Sequence, residues 1–211
     1  MSGKYDAIYL VGYSGHSYVV ISSLLQSEIS IKGYVSTEKA KSNPYNLDYC
    51  GSESEDEFEG WLNNSAFVLA VGNNLVRSRI GNLIRKKNKV CLSVIDEKAI
   101  IAPNVTIMDG TFVSPGAIIN AFSSIGHDAI INTGAIVEHE CEIGTGAHIA
   151  PGVVLLGNVK IGRNTFVGAN SVVRQGLSIG DNVVIGAGSV VVNDIESNTK
   201  VVGNPAKRRL I

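Results

Sequence analysis

The chain is 211 residues long, with a net charge of -1, 6% aromatic residues and 23 glycines. A balanced charge leaves no basic field for nucleic acid, and without an apolar run near 18 residues no membrane span is predicted. The length suits one large domain or two modest ones, and so much glycine with so few aromatics suits a narrow core.

The first elements alternate. Residues 5–12 read as a buried strand running into the turn Gly12-Tyr13-Ser14-Gly15-His16. Val20, Ile21, Leu24 and Leu25 mark the apolar face of a helix that reaches about Ser27. Residues 31–36 form a second predicted strand, and 38–54, rich in Lys, Ser and Asn, read as an irregular loop. Ser54-Glu55-Asp56-Glu57 has capping-box spacing and predicts a short helix through Asn63. Residues 66–72 form the third strand. Asn73 or Asn74 then caps a helix with the face Val76, Ile80, Leu83 and Ile84. Arg85, Lys86 and Lys87 close that helix where its dipole favours cations. Residues 90–95 complete the set.

Such alternation predicts an α/β domain over residues 1–97, a small Rossmann-like parallel sheet, with the boundary where the period changes, near 96–100. Ligands of these sheets sit beyond the carboxyl ends of the strands, beside helix N-termini. Gly12 to Gly15 occupies that place after the first strand, and Gly72-Asn73-Asn74 after the third. Gly12-x-x-Gly15 falls short of the full dinucleotide fingerprint. Where an acidic residue would hold a ribose after the second strand stand Ser36 and Thr37, with Glu38 next.

From Ile101 the chain keeps a six-residue beat. The first position of each hexamer is a large aliphatic, from Ile101, Ile107 and Val113 through Ile185 and Val191. The fifth is small or β-branched almost throughout, as at Ala117, Ala129, Ala135 and Cys141. This period fits neither one helix nor a hairpin array, but it fits a solenoid in which each hexamer is a short strand plus a turn. The aliphatic faces the axis and the small residue fills the space beside it. Gly126, Gly144, Gly162, Gly180 and Gly186, with Asn164 and Asn182, crowd positions two to four, where the chain turns and a positive φ is expected.

Three of the four histidines lie in this repeat. His139 and Glu140 take positions three and four of their hexamer and are predicted to point outward at a corner. Carboxylates beside an imidazole raise its basicity and fix its tautomer, so Glu138-His139-Glu140 is a candidate general-base setting. His148, at position six, is outward by the same count, and His127 reads as a turn residue. Cys141 sits at the inward fifth position, where a buried thiol is inert, which argues against a Cys–His nucleophile. The histidines are 12 and 9 apart, unlike the pair five apart in γ-type carbonic anhydrases, so no metal is predicted. Cys50, Cys91 and Cys141 are odd in number and scattered, consistent with a reducing compartment. The N-terminus lacks a basic region followed by a cleavable apolar stretch, and a cytoplasmic location is expected.

At residues 132–141 (NTGAIVEHEC) and 147–152 (AHIAPG) the chain resembles the left-handed β-helix acyltransferases of the sialic acid O-acetyltransferase group. Their nearest relatives N-acetylate nucleotide-linked 4-amino sugars. The likeness extends to Gly12-Tyr13-Ser14-Gly15-His16, to Ala70-Val71-Gly72-Asn73-Asn74 with Arg77, and to Val202-Gly203-Asn204-Pro205-Ala206-Lys207. It implies a left-handed parallel β-helix of hexapeptide repeats over residues 98–211, a homotrimer, and active sites between neighbouring subunits. His139 would be the general base and Glu140 its orienting partner, with direct attack of an acceptor amine or hydroxyl on acetyl-CoA. By position, Asn132 and His148 match contacts to the acetyl end and Gly157, Ala169 and Ala187 line the pantetheine groove, while Lys207, Arg208 and Arg209 could meet the CoA phosphates. Gly12, Ser14, Gly15 and His16, with Gly72 and Asn73, would hold the acceptor's nucleotide. An acidic pair common in the family after the second strand is replaced here by Ser36-Thr37. The implied reaction is N-acetylation of a nucleotide-linked 4-amino sugar. O-acetylation of sialic acid, or a non-catalytic nucleotide-sugar-binding trimer, are the alternatives.

Overall fold

The computed structural model describes residues 4–27 and 29–208. The chain opens with β1 (Ala7–Val11), α1 (Gly15–Leu24), β2 (Gly33–Val35), α2 (Glu59–Leu62), β3 (Ser65–Leu69), α3 (Asn74–Lys86) and β4 (Val90–Leu92). The four strands form one parallel sheet in the order β2-β1-β3-β4. Central strands β1 and β3 are buried throughout, as a parallel sheet covered on both faces requires. Asn73 caps α3 by accepting from the Val76 N–H at 3.1 Å.

The structure departs from three of the expected elements. The helix expected from Ser54 to Asn63 is the single turn α2. Ser52 and Ser54 hydroxyls bond each other at 2.7 Å instead of capping a helix, and buried Phe58 occupies the N-cap against Tyr9, Trp61 and Phe67. On α1, Val20, Ile21 and Leu24 are buried, but Leu25 lies at the C-cap and is 72% exposed. The strand expected over 90–95 is two strands. Ser93 Oγ donates to the Met108 carbonyl (3.0 Å) and accepts from the Thr111 N–H (3.2 Å), which draws the chain off the first sheet. The second of the two, β5 (Val94–Ile95), pairs with Phe112–Val113 of the solenoid.

Beyond that point the chain is a left-handed parallel β-helix. Each strand pairs in parallel with the strand 18 residues on, as Ser124 with Glu142 and Ile130 with His148, so three hexamers make one coil. Three sheets result, of eight, six and five strands. The position-one aliphatics from Val113 to Val191 are all buried, while Ile101 and Ile107, in the first coil, are only partly covered. The small fifth-position side chains at Ala117, Ala129, Ala135, Cys141 and Ala147 fill the axis beside them.

The two turn positions that favour glycine differ in cause. Position four takes the left-handed backbone, as at Asn104, Gly110, Asn158 and Asn164. The position-two glycines do not, contrary to expectation. At Gly126 a Cβ would stand 2.7 Å from the Thr145 backbone nitrogen, so close stacking of successive coils excludes a side chain there.

Helices α1 and α3 lie on the eight-stranded face. Val20, Ile21 and Leu24 join one apolar cluster with Val94, Phe112 and Ile130. Ser23 Oγ donates to Asp96 at 2.6 Å, and Asn74 Nδ2 donates to the carbonyls of Asn164 (3.0 Å) and Thr165 (3.2 Å).

Candidate active site

His139 sits at the corner between the six-stranded and five-stranded sheets, in the turn from Ile136–Val137 to Glu142–Ile143. Its side chain is 59% exposed. Nδ1 is 3.0 Å from Glu140 Oε2. A carboxylate accepts only, so this contact puts the ring proton on Nδ1 and leaves the Nε2 lone pair free to accept a proton. Glu140 holds this pose from a left-handed backbone (φ 61°) at the position where most other coils carry Gly or Asn. Beneath the ring lies Gly157, one coil on. A Cβ there would stand 2.5 Å from His139 Cε1 and 2.6 Å from Nε2. Cys141 faces the core with Sγ 3.3 Å from the Leu156 carbonyl, and burial pushes its thiol up to about 11. It is no nucleophile at neutral pH.

His148 projects from the eight-stranded face, as its hexamer position predicts, yet it is only 8% exposed, because the N-terminal domain covers that face. Its ring packs edge-on to Phe166 and near His16. Asn132 Nδ2 donates to His148 Nε2 at 3.0 Å, with Asn132 Oδ1 held by the Thr133 N–H at 2.8 Å. His148 Nδ1 is turned to the Gly72 backbone but makes no hydrogen bond of normal geometry. Burial, then the Arg77 charge, lowers His148 to about 3 and His16 to about 4, so both rings are neutral at physiological pH.

Arg77 fastens this region. It is 1% exposed, and its guanidinium donates to the carbonyls of Asp128 (2.7 Å), Val71 and Gly72 (both 3.0 Å) and Gly146 (2.8 Å), and to Asn74 Oδ1 (3.0 Å). Burial lowers it to about 10, which leaves it charged. Nearby, Arg85 forms an ion pair with the fully buried Asp128 carboxylate, whose pKa burial raises, and His127 lies against Asp109. Asp109 also lies 3.4 Å from Arg85, which places His127 beside the domain junction. Sequence reasoning placed Arg77 only within a likeness and missed the Arg85–Asp128 pair. The signal available was an arginine at i and i+8 on one helix, facing an acidic residue in a turn position.

The residues expected to hold a nucleotide fall into two places. A pocket of about 240 Å³ at the carboxyl ends of β1, β2 and β3 is lined by Gly12 and Ser14 together with Ser36, Thr37, Glu53 and Arg79. Gly12 has φ 90°, and a Cβ there would stand 2.7 Å from Val71 Cγ2, so the close approach of β1 to the loop after β3 requires glycine. Gly72 and Asn73 line a separate cleft of about 380 Å³ between α3 and the β-helix, with Asn164, Phe166 and Asn182. Gly15 is an exposed first residue of α1, and His16 packs over Gly72, beside neither Ser36 nor Thr37.

The expected groove residues also divide. Gly157 shares the His139 corner, whereas Asn132, Ala169 and Ala187 lie at the corner between the eight-stranded and six-stranded sheets. Lys207 is exposed on the final strand Lys207–Arg208, which runs antiparallel to Lys200–Val202. Arg209 lies outside the described residues. Among the described residues, no three His, Cys, Asp or Glu side chains are placed to hold a metal ion.

Residues 7–84 match the family model of the PglD N-terminal domain, 122–157 that of the bacterial transferase hexapeptide (six repeats), and 158–192 that of the hexapeptide repeat of succinyl-transferase. The structure is similar to a histidine-to-asparagine mutant of perosamine N-acetyltransferase from Caulobacter crescentus, solved in complex with CoA and GDP-perosamine. Identity is 30%, 97% of each chain is covered, and the TM-score is 0.91. It is also similar to the acetyltransferase domain of PglB from Neisseria gonorrhoeae in complex with acetyl coenzyme A, at 28% identity, covering 97% of this chain and 100% of that one, with a TM-score of 0.84. WeeI from Acinetobacter baumannii shares the fold at 21% identity and a TM-score of 0.69. No curated protein sequence matches the chain.

Proposed function

Because the chain belongs to the PglD-like family of nucleotide amino-sugar N-acetyltransferases, we propose that it acetylates the amino group of a nucleotide-linked 4-amino sugar. It is an acyltransferase, and its co-substrate is acetyl-CoA. The observation that carries the proposal is the exposed His139–Glu140 pair seated on Gly157. As the acceptor nitrogen attacks the thioester carbonyl, His139 Nε2 takes its proton, Glu140 stabilises the imidazolium through Nδ1, and a backbone N–H binds the oxyanion. Attack forms the C–N bond, and collapse of the tetrahedral intermediate re-forms the carbonyl, breaks the C–S bond and returns the proton to the departing CoA thiolate. No acyl-enzyme is needed, in keeping with the inward Cys141.

A homotrimer completes this reading. The eight-stranded face that carries the N-terminal domain is opposite the His139 corner, so an acceptor held by that domain faces away from its own chain's base. The six-stranded face between the two groove corners presents an outward ladder of Ile118, Ile136, Val154, Val172 and Val190, all half-buried and all apolar. Its five-stranded neighbour instead presents Thr106, Ser124, Glu142, Lys160 and Ser178. An outward apolar ladder of this kind supports a subunit interface on this face. Packing three chains on it would set His139 and Gly157 of one subunit beside Asn132, Ala169 and Ala187 of the next.

The test is a panel of nucleotide-linked amino sugars incubated with acetyl-CoA, reading free thiol release and the acetylated product. Thiol release with a 4-amino sugar, reduced by roughly 10²–10⁴ in His139→Ala, supports the proposal. Release with free sialic acid and with no amino sugar would overturn it.

A further inference from the structure

Glu53 lies one residue before the end of the segment that the sequence presents as irregular loop. Its side chain is only 6% exposed and lines the pocket at the carboxyl ends of β1, β2 and β3. Its Oε2 atom is fully buried without a hydrogen-bond partner, and among the described residues no ion pair involves it. A buried carboxylate oxygen left without a donor is costly, and in a pocket wall such an oxygen is one whose donor arrives with a ligand. Ser36 and Thr37, which stand where an acidic pair would hold the ribose, line the same pocket and offer only hydroxyls.

We propose that Glu53 reads the nucleobase of the acceptor, and that it selects a base with two adjacent N–H donors on one edge, the amide-and-amine edge of guanine. This inference rests on the nucleotide-sugar reading of the acceptor. A carboxylate only accepts hydrogen bonds, and its two oxygens match two parallel donors. Guanine's N1–H and N2 amine supply such a pair. Uracil and thymine offer one N–H flanked by two carbonyls, which would oppose the carboxylate. Adenine and cytosine each pair a donor with an acceptor. Arg79, lining the same pocket, supplies a positive charge against the repulsion between a carboxylate and a diphosphate.

The experiment is calorimetric titration of the full chain with GDP, IDP, 2′-deoxy-GDP and UDP, repeated on Glu53→Gln, with acetyl-CoA titrated as the check on folding. Wild type is expected to bind GDP roughly five- to a hundredfold more tightly than IDP, which lacks the amine, and to bind UDP more weakly still. Glu53→Gln should lose GDP affinity by a similar factor and close the gap between GDP and IDP, with acetyl-CoA binding unchanged. Equal wild-type affinity for GDP and IDP overturns the proposal. So does a loss on 2′-deoxy-GDP with none on IDP, which would move the carboxylate to the ribose. If Glu53→Gln fails to fold, the wild-type comparison decides alone. Preference for UDP sinks this inference and leaves the acetyltransferase reading standing, whereas binding of no nucleoside diphosphate removes the nucleotide-linked acceptor as well.

Discussion

The imidazole of His139 rests on the bare Cα of Gly157, one coil away, with room for a hydrogen and none for a methyl group. Gly157 is not in the left-handed region, so alanine costs its backbone little. The exposed ring is what must move. Gly157→Ala is therefore expected to leave Tm nearly unchanged and to lower kcat about ten- to a hundredfold, as small misplacements of a catalytic group do. Steady-state kinetics beside a melting curve check it, and an unchanged kcat would separate this contact from catalysis.

Glu140, proposed to orient His139, takes a backbone conformation that costs an ordinary residue. Asparagine occupies the equivalent position at 158, 164, 170 and 182. Glu140→Asn should keep the turn and remove the charge, lowering kcat by about tenfold or more with little loss of stability. Glu140→Ala also removes the charge but keeps an ordinary residue in the left-handed region, so a higher melting temperature for the Asn variant than for the Ala variant isolates the backbone contribution.

Arg77 satisfies carbonyl groups from both domains at once. Arg77→Met would strand those acceptors in a buried junction, at a cost on the order of 3 kcal/mol. Urea titration followed by far-UV circular dichroism should show the loss, and a midpoint within error of wild type would contradict the fastening role.

His16 and His148 are held neutral, with pKa values lowered to about 4 and about 3 against an ordinary value of 6.5. Below pH 6.5 the unfolded chain takes up protons that the folded chain refuses. Stability from these two groups is thus complete above pH 6.5 and is lost as pH falls toward 4 and then 3. The limiting slope is about 1.4 kcal/mol per pH unit for each ring. His148→Gln should flatten the profile between pH 6 and 4, as melting temperatures across that range will show.

The apolar ladder offers a direct test of assembly. Ile136→Glu places a charge in the middle of the six-stranded face without touching the axial core, where Val137 fills position one. Monomers by sedimentation velocity, together with loss of activity, are the expected result. A monomeric wild type would remove the interface.

Much of this was legible in the amino-acid order. One aliphatic at each sixth residue gave the axis, and counting from it put His139 and Glu140 at a corner and Cys141 inside. The same count pointed His148 outward, correctly as direction and wrongly as environment, because burial there comes from α1 and α3, far away in sequence. Short-range spacing also misread Ser54, whose hydroxyl found Ser52 before it found a helix. Glu53 was hidden in a polar segment for a related reason. A loop residue's exposure depends on which strand ends it folds against, and no local pattern records that. Arg77 and Arg85 showed helical spacing, but their acceptors are backbone carbonyls and a turn aspartate some fifty residues on.

The guanidinium rivet of Arg77 has a mechanical corollary. With both halves of each chain pinned to common carbonyls, the strand-end pocket is held at a fixed span from its own β-helix and, in the proposed trimer, from the neighbouring subunit's His139, like the jaws of a caliper. An acceptor is then gauged by its reach from anchoring base to reactive nitrogen. A sugar presenting that nitrogen one ring carbon away would sit at the wrong distance, however well its base were held.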